Sequence, residues 1–153
     1  MDRNEIRELY GNIDACSYVT KGESDTREIH AKFKIVCGAN LEILHNEFEK
    51  YAEIASAKYA EIVDPKYAEF VDKAEKVSQL KDAEKRTERL QVKYADAIAS
   101  AIEFDRWRDE EFYLEEVTVP ELKKWPFADL PEKIAGGYIL ALKEMIGDFP
   151  EID

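Results

Sequence analysis

Apolar side chains recur from Ile29 through Phe33, Cys37, Leu41, Leu44, Phe48, Tyr51, Ala55 and Tyr59 to Ile62, nine steps over 33 residues. That mean spacing is close to the 3.6 residues of an α-helical turn and is incompatible with the two-residue alternation of a half-buried strand. One long helix is therefore expected from Asp25 to about Val63, with a bend allowed at Gly38. Ser24 or Asp25 supplies an N-cap, and Glu28, three residues beyond Asp25, completes a capping box. At the other end Asp64-Pro65 interrupts the run, because proline removes an amide donor and crowds the preceding turn. Asp64 as N-cap with Pro65 at the first helical position restarts a helix at once.

A second periodic run follows, through Leu80, Ala83, Thr87, Leu90, Tyr94, Ala97, Ala101 and Phe104. Its steps alternate three and four residues, a heptad pattern suited to antiparallel pairing with the first long helix. Ile98, Ile102 and Trp107 widen the apolar stripe. The reversal between the two runs belongs between Asp64 and about Ser78. Ahead of the hairpin, Ile6, Leu9, Tyr10 and Ile13 mark a short helix from Asp2 or Asn4 to about Cys16. Gly11 within it costs about 1 kcal/mol relative to alanine, so this helix needs packing support.

Beyond Phe112 the β-prone residues Phe112-Tyr113-Leu114 and Val117-Thr118-Val119 predict a short extended segment near 112–119. Pro120 to Trp125 reads as one helical turn, and Leu130-Pro131 opens another turn. Tyr138, Ile139, Leu142, Met145 and Ile146 predict a final helix that starts at Gly136-Gly137 and stops at Gly147. The expected fold is mainly all-α. A long antiparallel helical hairpin (about 25–63 and 78–110) carries a short N-terminal helix and a C-terminal helix packed at one end. Residues 1–153 are expected to form a single helical domain, with 1–20 the short helix, 24–110 the hairpin broken at 64–78, and 111–153 the extended segment and last helix.

Lys-Tyr-Ala-Glu begins at Lys50, Lys58 and Lys66, and Lys-Tyr-Ala-Asp begins at Lys93. Eight residues at 100° each leave a drift of about 80° per copy, so Tyr51, Tyr59 and Tyr67 wind around the helix instead of forming a ladder. A duplicated stretch of solvated helix with tyrosines at its packing edge accounts for the repeat.

Thirty-four acidic against 22 basic residues give a net charge of −12, which disfavours a nucleic-acid backbone or an anionic lipid surface as partner. Residues 103–153 carry −8 of that charge, while 51–102 carry only −1. No apolar run approaches the ~18 residues of a membrane span, and the N-terminal stretch is polar, so no membrane association and a cytoplasmic location are expected. Cys16 and Cys37 sit in apolar contexts without metal-ligand or redox spacing and read as buried reduced thiols.

Nothing here has the spacing of a nucleophilic active site: there is no Gly-rich phosphate loop, no Gly-x-Ser-x-Gly and no cysteine with histidine and acid partners. Glu42 and His45 form one Glu-x-x-His pair, but a di-iron carboxylate centre needs two, and His30 has no glutamate three residues before it. The pairs Glu5/Glu8, Glu61/Asp64 and Glu69/Asp72 have the spacing with which all-helical nucleotide pyrophosphohydrolases hold Mg²⁺. A chain this acidic produces such pairs by chance. No catalytic residue, no metal ligand and no cofactor are assigned.

The densest constellation is acidic and aromatic. Asp109-Glu110-Glu111 and Glu115-Glu116 place five carboxylates within eight residues, flanked by Trp107, Phe112 and Tyr113. The ordinary reading is a solvated helix end with an edge strand guarded by charge. The functional reading is a contact surface for a basic partner, in the extreme case one that imitates the spacing of DNA phosphates.

Several residues share one layout: Ser24-Asp25-Thr26-Arg27 ahead of Phe33, the charged hairpin, the acidic stretch Glu115 to Val119, and a Gly-led final helix from Gly136 to Ile146. This layout resembles a family of small uncharacterised helical proteins encoded by phages and prophages of Gram-positive bacteria. In that family a basic residue directly follows the serine, where this chain has Asp25. The resemblance implies a phage origin, the host cytoplasm as location, and no known reaction.

The resulting expectation is a non-enzymatic helical protein that acts through protein partners, itself as a homo-oligomer among them, without contacting nucleic acid directly. The alternative is an acidic, DNA-mimicking inhibitor of a basic host nucleic-acid-binding or defence protein. A Mg²⁺-dependent all-α nucleotide pyrophosphohydrolase is the second alternative.

Overall fold

The computed structural model describes residues 1–150, so the end of the expected 1–153 domain, residues 151–153, lies outside the described residues. The fold is mainly all-α, as expected, with six α-helices and a two-strand parallel ladder among the described residues. The chain divides into two compact units, Met1–Lys50 with the chain from Glu115 onward, and Tyr51–Leu114.

In the first unit, α1 (Arg3–Ser17) opens on a reciprocal capping box: Asp2 Oδ1 accepts the Glu5 N–H at 2.8 Å and Glu5 Oε1 accepts the Asp2 N–H at 3.0 Å. Ile6, Leu9, Ile13 and Cys16, spaced three and four apart, all face the core. There they meet Phe33, Cys37 and Leu44 of α2 (Arg27–Ile62), together with Leu122, Trp125, Ile134, Leu142, Met145 and Ile146. Phe33 meets Trp125 edge-on at 5.5 Å. Each such side chain removed from water contributes about 1.5–3 kcal/mol, which offsets the helix-weakening Gly11. Both thiols are buried, as their apolar contexts predict.

The start of α2 corrects the expected cap. Thr26, not Ser24 or Asp25, is the capping residue: its Oγ1 accepts the Ile29 N–H at 3.1 Å. Asp25 is engaged elsewhere, with Oδ2 accepting the Gly22 N–H at 2.8 Å and Oδ1 the Glu132 N–H at 3.0 Å. Glu132 returns the contact by accepting the Ser24 N–H at 3.1 Å. Gly22 is required here, because a Cβ on it would overlap Glu132 Cβ at 2.7 Å. Gly38 lies inside α2 without interrupting it.

The C-terminal stretch departs most from expectation. Of the extended segment near 112–119, only Glu116 pairs, in a single antiparallel bridge to Asp2, with the Val117 N–H donating to Met1 O at 2.9 Å. Pro120 to Trp125 is not helical. Asn40 holds the backbone of Lys123, and β1 (Trp125–Pro126) then pairs in parallel with β2 (Ile146–Gly147). The final helix α6 starts at Gly136, as expected, but spans only Gly136–Ala141 and packs against α1. A 3₁₀ turn, Lys143–Met145, and β2 take up the rest of the predicted 138–146 helix. The ladder with Trp125 competes successfully for the backbone of Ile146. The left-handed residue beyond it is Asp148, at φ 57°, and not Gly147.

The second unit is the hairpin. The last turns of α2 are followed by α3 (Lys66–Val77), a turn across Ser78–Asp82, then α4 (Ala83–Lys93), α5 (Ala95–Trp107) and a π-helical turn, Arg108–Phe112. Ring pairs set the direction: Tyr51 with Phe112, Tyr59 with Phe104, Phe70 with Tyr94. As numbers rise on one arm they fall on the other, so the arms are antiparallel. Asp64-Pro65 is a restart, as the sequence predicts. Asp64 Oδ1 accepts the Lys66 N–H at 2.9 Å, and Pro65 has helical dihedrals (φ −53°, ψ −25°). The reversal, at residues 78–82, begins at the far edge of the expected window of residues 64–78. Leu80, expected to begin the return seam, lies in the turn and is exposed, and Ile102 points to solvent instead of widening the stripe.

Candidate contact surface

The acidic-aromatic constellation is divided by the fold. Trp107, Asp109, Glu110, Glu111, Phe112 and Tyr113 belong to the hairpin unit, whereas Glu115 and Glu116 belong to the first unit. Trp107 stacks on Phe112 at 4.9 Å, and Phe112 is buried against Tyr51. Lys58 Nζ lies 5.5 Å above the Trp107 ring. These aromatics close the base of the hairpin instead of lining an open surface.

The carboxylates have their own cations. Arg106 contacts Glu103 at 2.6 Å, Glu110 at 3.7 Å and Glu111 at 3.9 Å. Arg108 contacts Asp109 at 2.9 Å and Asp105 at 3.5 Å. Hydrogen bonds from these guanidiniums hold the Glu103 and Asp109 carboxyls below the usual range, as charged partners do. In the first unit, Glu115 lies 3.4 Å from the buried Arg3, and Glu116 lies 3.0 Å from the Met1 amino group. Stretch 103–116 nevertheless holds seven carboxylates against two arginines and remains strongly negative.

Of the acidic pairs weighed as metal ligands, Glu5 of Glu5/Glu8 belongs to the α1 capping box, and the members of the other two are engaged one by one. Glu61 pairs with Lys58, Glu69 with Lys73, and Asp72 with Lys76, while Asp64 starts α3. His45 pairs with Glu49 at 3.4 Å, one turn on from the Glu42 pairing considered. Among the described residues no three His, Cys, Asp or Glu side chains are gathered to hold a metal ion.

No family model, curated protein or solved structure matches this chain. The surface that remains lies on the hairpin. No residue of α3 or α4 is fully buried, and Val71 on α3, Leu80 in the turn and Val92 on α4 are exposed, Val92 at 79%, with Ile102 at 63% on α5. Along α4, Lys85, Glu88, Arg89 and Val92 line a shallow open groove of about 540 Å³. Lys85, Glu88 and Arg89 make no ion pair with a described residue, whereas Arg86 is held by Asp82 at 2.9 Å. This face escaped sequence reasoning because the near-zero charge of residues 51–102 conceals a local reversal. Five basic residues stand against three acidic ones across Lys81–Lys93. No helix of the described residues is long and apolar enough to cross a membrane.

Proposed function

We propose that this chain is a non-enzymatic helical protein that works by protein–protein contact through the hairpin unit, with itself or with a foreign protein. The observation that carries this reading is the thin hairpin tip, where α3 and α4 pack on each other but bury no residue fully, while Val71, Leu80 and Val92 are exposed. Isolated helices of 11 or 12 residues are marginal in water, and most helical stability in proteins comes from packing an amphipathic face. A partner that covered these valines would supply that packing. The phage resemblance supports a viral origin and the host cytoplasm as the place of action. The acidic-inhibitor reading has less support, because Arg106 and Arg108 already hold the carboxylates that would imitate phosphates.

Affinity capture from a lysate of the source cell, with the wild-type chain and with Val71→Asp/Val92→Asp/Ile102→Asp, tests the reading. A protein retained by the wild type and lost by the triple variant supports it. Equal retention by both, or a partner lost only on reversing Asp109, Glu110 and Glu111, overturns it.

A further inference from the structure

We infer that the return arm of the hairpin is a self-docking surface, on which two copies of this chain pair antiparallel, α4 of one against α5 of the other. The inference rests on the protein-contact reading above and names the partner.

The exposed face of this arm is polarised in charge along its length. Lys81, Lys85 and Arg89 are exposed at the α4 end, and none makes an ion pair with a described residue. Asp96 and Glu103 are exposed on α5; Asp96 likewise has no ion-pair partner among the described residues, whereas Glu103 is held by Arg106 of its own helix at 2.6 Å and would share its carboxylate with the second copy. At 100° per residue, Lys85 and Val92 fall within about 20° of one another on α4, and Asp96, Ala99 and Glu103 within about 60° on α5; the two helices meet at Tyr94, whose φ −105° and ψ 23° are not helical. The junction keeps helical hydrogen bonding on both sides, with Tyr94 N–H donating to Leu90 O and Ile98 N–H to Tyr94 O, each at 2.9 Å.

A stripe that is cationic at one end and anionic at the other is complementary to itself only head to tail. Under a two-fold axis near Tyr94, Lys85 comes opposite Glu103 of the second copy, and Arg89 reaches its Asp96. In the same register Val92 of each copy lies beside the axis and faces Asp96 of the other, while Ala99 faces Arg89, where its small side chain leaves room for the guanidinium. Parallel pairing would set cation against cation and is excluded by the same charges. An isologous two-fold contact of this kind closes on a dimer and does not propagate. Residues 83–107 span roughly 37 Å at 1.5 Å per residue, long enough for a helix pair to approach the area of a standard interface. Nucleic acid is the poorer occupant, because Glu88 stands between the cations and the chain carries −12 overall.

Sedimentation velocity of the full chain across a wide concentration range, at low and high salt, tests the inference. The wild type is expected to double in mass as concentration rises at low salt, and to dissociate as salt screens the pairs. Lys85→Glu/Arg89→Glu is expected to stay monomeric, because carboxylates then face Glu103 and Asp96 of the second copy. Asp96→Lys/Glu103→Lys is expected to stay monomeric for the opposite reason. An equimolar mixture of the two variants is expected to recover the dimer, which also shows that neither has failed to fold. The fourfold variant carrying both swaps is expected to dimerise alone, which only the antiparallel arrangement allows. A wild type that remains monomeric throughout overturns the inference, and the contact reading then rests on the foreign partner sought by capture. A dimer indifferent to both swaps overturns it too, while leaving protein contact in place.

Discussion

Asn40, fully buried on α2, clamps the backbone of Lys123 from both sides: Nδ2 donates to Lys123 O at 2.9 Å, and to Met145 Sδ at 3.8 Å, while Oδ1 accepts the Lys123 N–H at 2.7 Å. The side chain thus acts as a one-residue strand, satisfying a backbone segment that has no ladder of its own. Asn40→Ala strands both Lys123 groups against the core and is expected to destabilise the first unit by roughly 2–4 kcal/mol. Asn40→Asp keeps the acceptor and loses the donor, so it should also destabilise. The shift in urea midpoint measures both. A loss below about 0.5 kcal/mol for Asn40→Ala would contradict the clamp.

The reach of sequence reasoning divides along the same line. Helical periodicity exposed α1, α2 and the antiparallel return, because each buries its own i, i+3, i+4 residues; Ile6, Leu9 and Ile13 are where their spacing puts them. The 3₁₀ turn, β1 and β2 were not legible, because their backbone is fixed by distant groups. Nothing near Lys123 announces that Asn40, 83 positions away, will pair with it. Asp25 was misread for a related reason. Its carboxylate is a good local cap, but Gly22 and Glu132 offer it amides across a tertiary contact, and Thr26 caps in its place. The acidic constellation was visible as a cluster, yet the chain gave no sign that its aromatics would be turned inward onto Tyr51. The polarised face of α4 and α5 was hidden by averaging charge over too long a window.

Acid should loosen the first unit at the Asp25–Glu132 contact. The Gly22 and Glu132 amides hold the Asp25 carboxyl below its ordinary value, and the Ser24 amide does the same for Glu132. A carboxyl whose folded pKa is depressed adds stability that is fully present above the unfolded value, about 4, and is lost as pH falls through the folded value. The urea midpoint of the wild type should therefore fall below about pH 4, and that of Asp25→Asn should fall less steeply. Parallel slopes for the two proteins would sink this assignment.

Alkali should act through Cys37. Burial, with the neighbouring Cys16 second, pushes its thiol up to about 12, against an ordinary value near 8.5. Here the unfolded chain loses its proton first, so stability is intact below about pH 8.5 and declines as pH rises towards the folded value. Cys37→Ala should lower stability at neutral pH by leaving a small cavity, yet flatten the alkaline decline. In the native wild type, a disulfide reagent such as Ellman's should modify Cys37 no faster than the protein opens. Rapid modification at neutral pH, without urea, would show an accessible thiolate instead.

The restart at Asp64 gives the hairpin unit its own test. Ser100 Oγ on α5 accepts the Asp64 N–H at 2.9 Å, while Asp64 Oδ1 accepts the Lys66 N–H at 2.9 Å, so one residue links the two arms and begins α3. Ser100→Ala removes the first bond and Asp64→Ala the second, and each is expected to cost about 1 kcal/mol. The two effects should separate by location. Asp64→Ala should speed hydrogen exchange at the Lys66 amide, which loses its side-chain acceptor, more than at Tyr67, whose amide donates to the Asp64 backbone carbonyl at 2.8 Å. Ser100→Ala should speed it at Asp64 itself and leave α3 unchanged. Because the bonds share Asp64, the double variant should fall short of the sum of the singles. Full additivity, with no local change in exchange, would mean that the break at Pro65 is held by packing of Val63 against Ala101 and Phe104 alone.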